Sequence, residues 1–161
     1  MEKTLDIIDF EPSLAKHFAQ LNLAWIEKYF KVEPIDEEVL SNPQKHIISN
    51  GDLIFFAQLD EKIVGTFALI KVEKGVYELS KMAVAEAHHG KQIGNKMLDY
   101  CLKKARDLGA DKVVLYSNTI LEPAIHLYKK YGFNEVPLEH SEYIRSNINM
   151  EIDLNKQDDK D

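Results

Sequence analysis

Residues 82–105 read MAVAEAHHGKQIGNKMLDYCLKKA: an apolar strand, a short loop holding Gly90 and Gly94, and an amphipathic helix. A helix start carries unpaired N–H groups and partial positive charge, and both suit a phosphate. Glycines let the backbone approach such a group closely and supply dihedrals that other residues avoid. The same glycines also serve a plain tight turn and close helix–sheet packing, so the loop alone leaves both readings open. No G-x-x-x-x-G-K-[ST] is present, so the loop is not a P-loop. G-x-G-x-x-G is missing too, and the strands before the loop read as antiparallel. A pyrophosphate ligand would therefore dock in some other way.

Other reactive side chains give weaker signals. His88 and His89 are adjacent and would not point the same way as metal ligands on a helix, and no zinc spacing supports them, so no metal is implied. Cys101 falls on an apolar stripe and reads as core, while His126 reads as exposed. With one cysteine in 161 residues no intrachain disulfide can form, which fits a cytoplasmic location. The N-terminal MEKTLDIIDFEPS has no apolar run of signal-peptide length, and nothing approaches a membrane span. The formal net charge of −7 argues against nucleic acid as a partner and mildly favours cationic ones.

The elements that must position the loop follow from hydropathy periods. Thr4–Ile8 reads as a short strand, and Glu11-Pro12-Ser13 opens a helix whose apolar positions include Leu14, Phe18, Leu21, Trp25, Ile26 and Tyr29. A second short helix begins at Ile35-Asp36-Glu37-Glu38 and ends before Asn42-Pro43. His46–Ile48 reads as extended. LIFFAQL (53–59), KIVGTFALIKV (62–72) and VYELSKMAVA (76–85) form an antiparallel meander with turns at Asp60-Glu61 and Lys74-Gly75. The helix after the loop is expected over Gly90–Leu108, with Ile93, Met97, Cys101, Ala105 and Leu108 as its stripe. DKVVLYS (111–117) is a buried strand, so strand, helix and strand make a βαβ-like unit around the glycine loop. Leu121–Tyr131 is a further helix, and strands near Phe133–Val136 and Ile148–Leu154 finish a single domain over residues 1–154. Residues 155–161, NKQDDKD, read as a polar, disordered tail.

Two stretches resemble the GNAT superfamily of acetyl-CoA-dependent N-acetyltransferases. The family's strand, Q/R-x-x-G-x-G/A loop and helix fall on His89, Lys91, Gln92 and Gly94 within HHGKQIGNKML. Residues 117–133, SNTILEPAIHLYKKYGF, match N-x-x-x-x-x-A-x-x-L-Y-x-x-x-G-F at Asn118, Ala124, Leu127, Tyr128, Gly132 and Phe133. The ending YIRSNINMEIDL is similar to the closing strand of these enzymes. Two departures stand out: His89 replaces the usual Gln or Arg, and Gln92 replaces the first motif glycine. Gln92 must then take up the loop geometry without glycine's freedom, and its side chain must clear the pyrophosphate.

The resemblance implies an α/β fold of the α+β type: a mixed, mostly antiparallel sheet of about six to seven strands flanked by helices. It implies that backbone groups of Met82, Ala83 and Val84 receive the pantetheine arm of acetyl-CoA as an added strand. Amides of His89, Gly90, Lys91, Gln92, Ile93, Gly94 and Asn95 would hold the pyrophosphate. Lys91 could add a charge-assisted contact, and Asn118 could bond the pantetheine or cap its own turn. Tyr128 would protonate the departing thiolate, and a strand amide would stabilise the oxyanion. On residues alone Tyr128 equally shares a packing face with Leu121 and Ile125. Glu78 would deprotonate the incoming ammonium, and strand alternation puts Glu78, Ser80 and Met82 on one face.

Acceptor specificity is expected from Trp25, Tyr29, Phe30, Glu33, Glu139, His140 and Tyr143, where aromatics beside acids would suit a cation. The reading is an N-acetyltransferase acting on a small-molecule or peptide amine by direct attack in a ternary complex, as a monomer or homodimer, without membrane partners. The alternatives are a non-catalytic acyl-CoA-binding sensor and a protein N-terminal or lysine acetyltransferase.

Overall fold

The computed structural model describes residues 4–90, 92–138 and 145–155. The expected meander is present as β2 (Leu53–Leu59), β3 (Lys62–Glu73) and β4 (Val76–Val84), with β1 (Leu5–Asp9) added antiparallel at the β2 edge. β2 is apolar on both faces because both faces are covered. Ile54 and Phe56 point to one core and Phe55 and Ala57 to the other.

The helices α1 (Ala15–Tyr29), α2 (Pro34–Ser41) and α3 (Pro43–His46) cover the first face. Phe18, Ile26 and Leu40 meet Ile54, Phe56 and Ala68 there. The helices α4 (Ile93–Asp107) and α5 (Glu122–Lys130) cover the second, where Met97, Cys101, Ile125 and Tyr128 meet Phe55, Phe67 and Leu69. Close approach of α4 needs Gly65: a Cβ there would lie 2.8 Å from Met97 Sδ and 3.3 Å from the Ala83 carbonyl oxygen.

Strands β5 (Lys112–Ser117), β6 (Asn134–Val136) and β7 (Ile148–Asp153) complete a seven-stranded sheet among the described residues, ordered β1-β2-β3-β4-β5-β7-β6. β4 and β5 are parallel and the other neighbours antiparallel. The mixed, mostly antiparallel sheet and the β4–α4–β5 unit therefore agree with the sequence reading. No helix among the described residues is long and apolar enough to cross a membrane.

Three expectations need correction. The 46–48 stretch is not extended: α3 ends at His46, and a 3-10 turn covers Ile48–Asn50, because Asn42 caps that segment by accepting from the Lys45 amide. The long helix starts at Ile93 rather than Gly90, since Gln92 is left-handed at φ 64° and cannot belong to it. Leu108 lies just past the helix end and is exposed, and Leu98 and Leu102 widen the buried stripe instead.

Candidate active site

The site begins with a fault in β4. Opposite Phe67, two residues of β4 stand where one would keep register: Thr66 pairs with Ala83 but Ala68 pairs with Ser80. The extra residue is absorbed at Lys81, whose φ is 55°. A bulge of this kind reverses the alternation beyond it. Glu78 and Ser80 lie opposite Ile70 and Ala68, on the α1–α2 face. Met82 and Val84 instead pack against the α4–α5 core. The expectation that Glu78, Ser80 and Met82 share a face is therefore wrong, because strand alternation holds only while the partner strand keeps step.

Beyond the bulge β4 also leaves its other neighbour. Pairing with β5 covers Val76–Glu78 against Lys112–Val114 and stops. The sheet opens there, and the β5-facing edge of residues 79–84 has no strand partner among the described residues. An extended ligand arm could satisfy such an edge as an added strand.

At the end of β4 the chain makes a 3-10 turn at Glu86–His88 and reaches α4 through Gly90, at φ 82°. Gln92 does adopt the left-handed conformation that glycine takes freely. Its side chain turns along the helix, where Oε1 accepts from Asn95 Nδ2. It does not cap the helix, and among the described residues the amides of Ile93, Gly94 and Asn95 have no acceptor; the first i→i−4 bond runs from the Lys96 amide to Gln92. Unpaired N–H groups at a helix start suit an anion. His89 Nε2 lies 3.0 Å from the Val84 carbonyl oxygen. A carbonyl can only accept, so Nε2 carries the proton, and the ring latches the loop to the end of β4. Sequence reading did not find this use of His89.

Gly94 is also a packing position. A Cβ on it would lie 3.0 Å from Leu127 Cδ2 and 3.7 Å from Met82 Cε, so β4, α4 and α5 converge at this glycine. Tyr131 secures the junction by donating from Oη to the Asn95 carbonyl at 3.0 Å. Tyr128, one residue beyond Leu127, is 8% exposed and meets Phe133 edge-on, with ring centroids 5.9 Å apart. Burial, helped by neighbouring Cys101, pushes its phenol up to about 12. It therefore keeps its proton at physiological pH and can act as a donor. Cys101 is itself buried, with its thiol raised to about 12 by that burial. Its core role stands, as does the exposure of His126.

Asn118 has both ends of its amide engaged. Oδ1 accepts from the Ile120 amide at 2.9 Å, and Nδ2 donates to the Arg145 carbonyl at 2.6 Å. Of its two expected roles, turn capping is the one with a partner in the chain.

The acceptor candidates divide. Trp25 is half-buried, edge-on to Phe30, and its indole N–H donates to Asn22 at 3.3 Å. Tyr29 is 45% exposed beside Lys28. Lys91, Glu139, His140 and Tyr143 lie outside the described residues. The sequence reading missed Asp36 and Arg145. Arg145 makes two bonds to Asp36, Nη1 to Oδ2 at 2.8 Å and Nη2 to Oδ1 at 2.7 Å, and a third to Glu33 Oε2 at 3.1 Å. Its guanidinium also lies 5.7 Å from the Trp25 ring. Asp36 is fully buried. Burial opposes its charge, but hydrogen bonds from Arg145 and the Glu33 amide, with the fields of Arg145 and Lys81, hold its carboxyl below the usual range. The only hint in the sequence was Glu33-Pro34-Ile35-Asp36, whose reciprocal Glu33–Asp36 capping box forms.

Comparison with known proteins agrees with the fold. The acetyltransferase (GNAT) family profile matches residues 18–133. "Uncharacterized N-acetyltransferase YvbK" of Bacillus subtilis is 26% identical over 117 residues, 70% of this chain and 75% of that protein. For "Uncharacterized N-acetyltransferase YobR" of the same organism, 27% identity over 118 residues spans 72% of this chain and 47% of that protein. Among solved structures, an acetyltransferase of the GNAT family from Staphylococcus aureus superposes with a TM-score of 0.83 at 22% identity, covering 94% of this chain and 99% of that one. Spermidine N-acetyltransferase from Vibrio cholerae, in complex with CoA and spermine, gives 0.73 at 22% identity, covering 94% and 96%.

Proposed function

The chain belongs to the acetyltransferase (GNAT) family, and on that premise we propose that it transfers an acetyl group from acetyl-CoA to a primary amine by direct attack in a ternary complex. The observation that carries the proposal is that two sets of backbone groups follow one another along the chain, a strand edge with no neighbouring strand and a helix start whose amides lack acceptors among the described residues. The β4 edge is open beyond Glu78, and the amides of Ile93, Gly94 and Asn95 stand without acceptors among the described residues. One extended arm joined to a pyrophosphate could occupy both. Met82, Ala83 and Val84 would hold its arm, and the loop from His89 to Asn95 its phosphates. Acetyl-CoA has that form and supplies the activated acetyl thioester.

The protein's own groups then divide the proton traffic. An amine with a pKa near about 10 is protonated at neutral pH and must lose a proton before it can attack. Glu78 lies on the α1–α2 face of β4, and in this reading the acceptor binds on that side of the sheet. Tyr128 approaches from the opposite, α4–α5 side, holding the proton that the leaving thiolate needs. The bulge at Lys81 turns Met82 and Val84, unlike Glu78 and Ser80, toward the α4–α5 side.

A thiol-release assay with acetyl-CoA across polyamines, amino acids, aminoglycosides and peptides, paired with calorimetry, tests the proposal. Acceptor-dependent thiol release is the expected result. Coenzyme binding without turnover on any amine would favour a non-catalytic acyl-CoA sensor.

A further inference from the structure

Two of the residues expected to receive a cation, Trp25 and Glu33, already meet one from within the chain, and Asp36 joins them. Trp25 offers a ring face, and Glu33 and Asp36 offer carboxylates; the Arg145 guanidinium lies near the first and bonds both of the others. The bidentate fit to Asp36 uses the planar fork that distinguishes arginine from lysine. An acceptor's positive charge would have to displace Arg145 from this cage.

The main chain around Arg145 is fastened in the other direction. Its carbonyl accepts from Asn118 Nδ2 at 2.6 Å. Two residues on, Asn147 donates from its amide to Ser117 O at 2.9 Å and accepts from the Thr119 amide at 3.0 Å. Its Nδ2 also reaches Thr119 Oγ1 at 3.2 Å. Residues 117–120 form the turn from β5 into α5, the helix that carries Tyr128. One short segment thus holds the acceptor-side wall with its side chain and the start of the Tyr128 helix with its backbone.

We infer that Arg145 is a positioning residue for acceptor binding, fixing the α1–α2 wall at one separation from the β5–α5 turn, rather than a group that touches the acceptor. The inference rests on the acetyltransferase reading only for its kinetic consequence; the coupling itself can be measured without activity. A displacement of the wall by an ångström or so would misplace the amine, and positioning errors of that size cost about a hundredfold in kcat/KM, part of it as a raised acceptor KM.

The test uses the full chain with Arg145→Ala and Arg145→Lys. In both variants the acceptor KM should rise about tenfold or more, while acetyl-CoA affinity by calorimetry stays within about twofold. Hydrogen exchange should quicken together in residues 34–41 and at Thr119 and Ile120. Millimolar guanidinium should restore the slow exchange and the acceptor KM in Arg145→Ala. Methylammonium, equal in charge but without the planar fork, should not. Arg145→Lys keeps the charge and most of the volume, so it carries the test if the alanine variant does not fold. Faster exchange confined to residues 34–41, with unchanged acceptor KM, would overturn the inference and leave Arg145 a local anchor for α2. If the wild-type protein acetylates no amine, the proposed function fails, whereas the exchange experiment still decides the coupling.

Discussion

The two sides of the candidate site are built from different materials. On the proposed coenzyme side the groups are main-chain: an open β4 edge, a left-handed residue before α4 and first-turn amides without acceptors among the described residues. On the proposed acceptor side they are side chains: Trp25, Glu33 and Asp36 around Arg145. Backbone groups recognise features that many acyl donors of one type share. Side chains are exchanged more freely and tune one acceptor. On the proposed reading, the coenzyme side follows from fold and loop geometry, while the acceptor side is positioned by a cluster whose members are far apart in sequence.

Breaking the side-chain half should give the largest effect. Asp36→Ala would leave Arg145 buried with only part of its pairing, and losses of this kind cost about 3–5 kcal/mol. Urea denaturation should show that drop. The pH dependence sharpens it. Because Asp36 has a lower pKa folded than unfolded, its contribution is present above its ordinary value of 3.8 and is lost as pH falls through the folded value. The stability gap between wild type and Asp36→Asn should narrow on acidification from neutral pH to well below 3.8. A constant gap would mean the Asp36 charge is not what matters.

Breaking the main-chain half comes next. Gly94→Glu should weaken acetyl-CoA binding about a hundredfold or more, by setting negative charge where a helix start favours an anion. Gly94→Ala brings the same Cβ toward Leu127 without the charge, so it separates crowding from electrostatics. Equal losses in the two variants would point to packing alone. Between the halves stands Tyr128. Tyr128→Phe keeps the edge-on contact with Phe133 but removes the proton, and turnover should fall about ten- to a hundredfold, with coenzyme affinity unchanged. Unaltered turnover would return Tyr128 to a packing role.

The smallest effect is expected at Gln92. Its left-handed conformation costs roughly 1 kcal/mol, which glycine would relieve, while glycine also gains freedom in the unfolded chain. Gln92→Gly should therefore change stability by less than about 1 kcal/mol and tighten acetyl-CoA binding a few-fold by clearing a side chain from the helix start. Weaker binding would show that the Gln92–Asn95 contact helps the loop hold its ligand.

Periodicity revealed the meander, the amphipathic α4 and the buried strand β5, because each depends on interactions between residues near one another in the chain. The loop between β4 and α4 was legible for the same reason. Its helix start was read three residues early, since nothing local shows that a glutamine will take a left-handed turn. Glu78 and Met82 were put on one face because alternation is a local rule, while the bulge that separates them arises from β3 pairing with one residue fewer.

The sequence by itself thus determined the order of elements, the mixed sheet and the place where an anion could sit, all short-range consequences of residue type and spacing. Only the tertiary structure decided which faces Glu78 and Met82 occupy, where β4 and β5 part, and that Arg145 meets Asp36 across 109 positions of chain. A charge pair of that span leaves no periodic trace, because its energy depends on burial and geometry that exist only once the chain has closed around it.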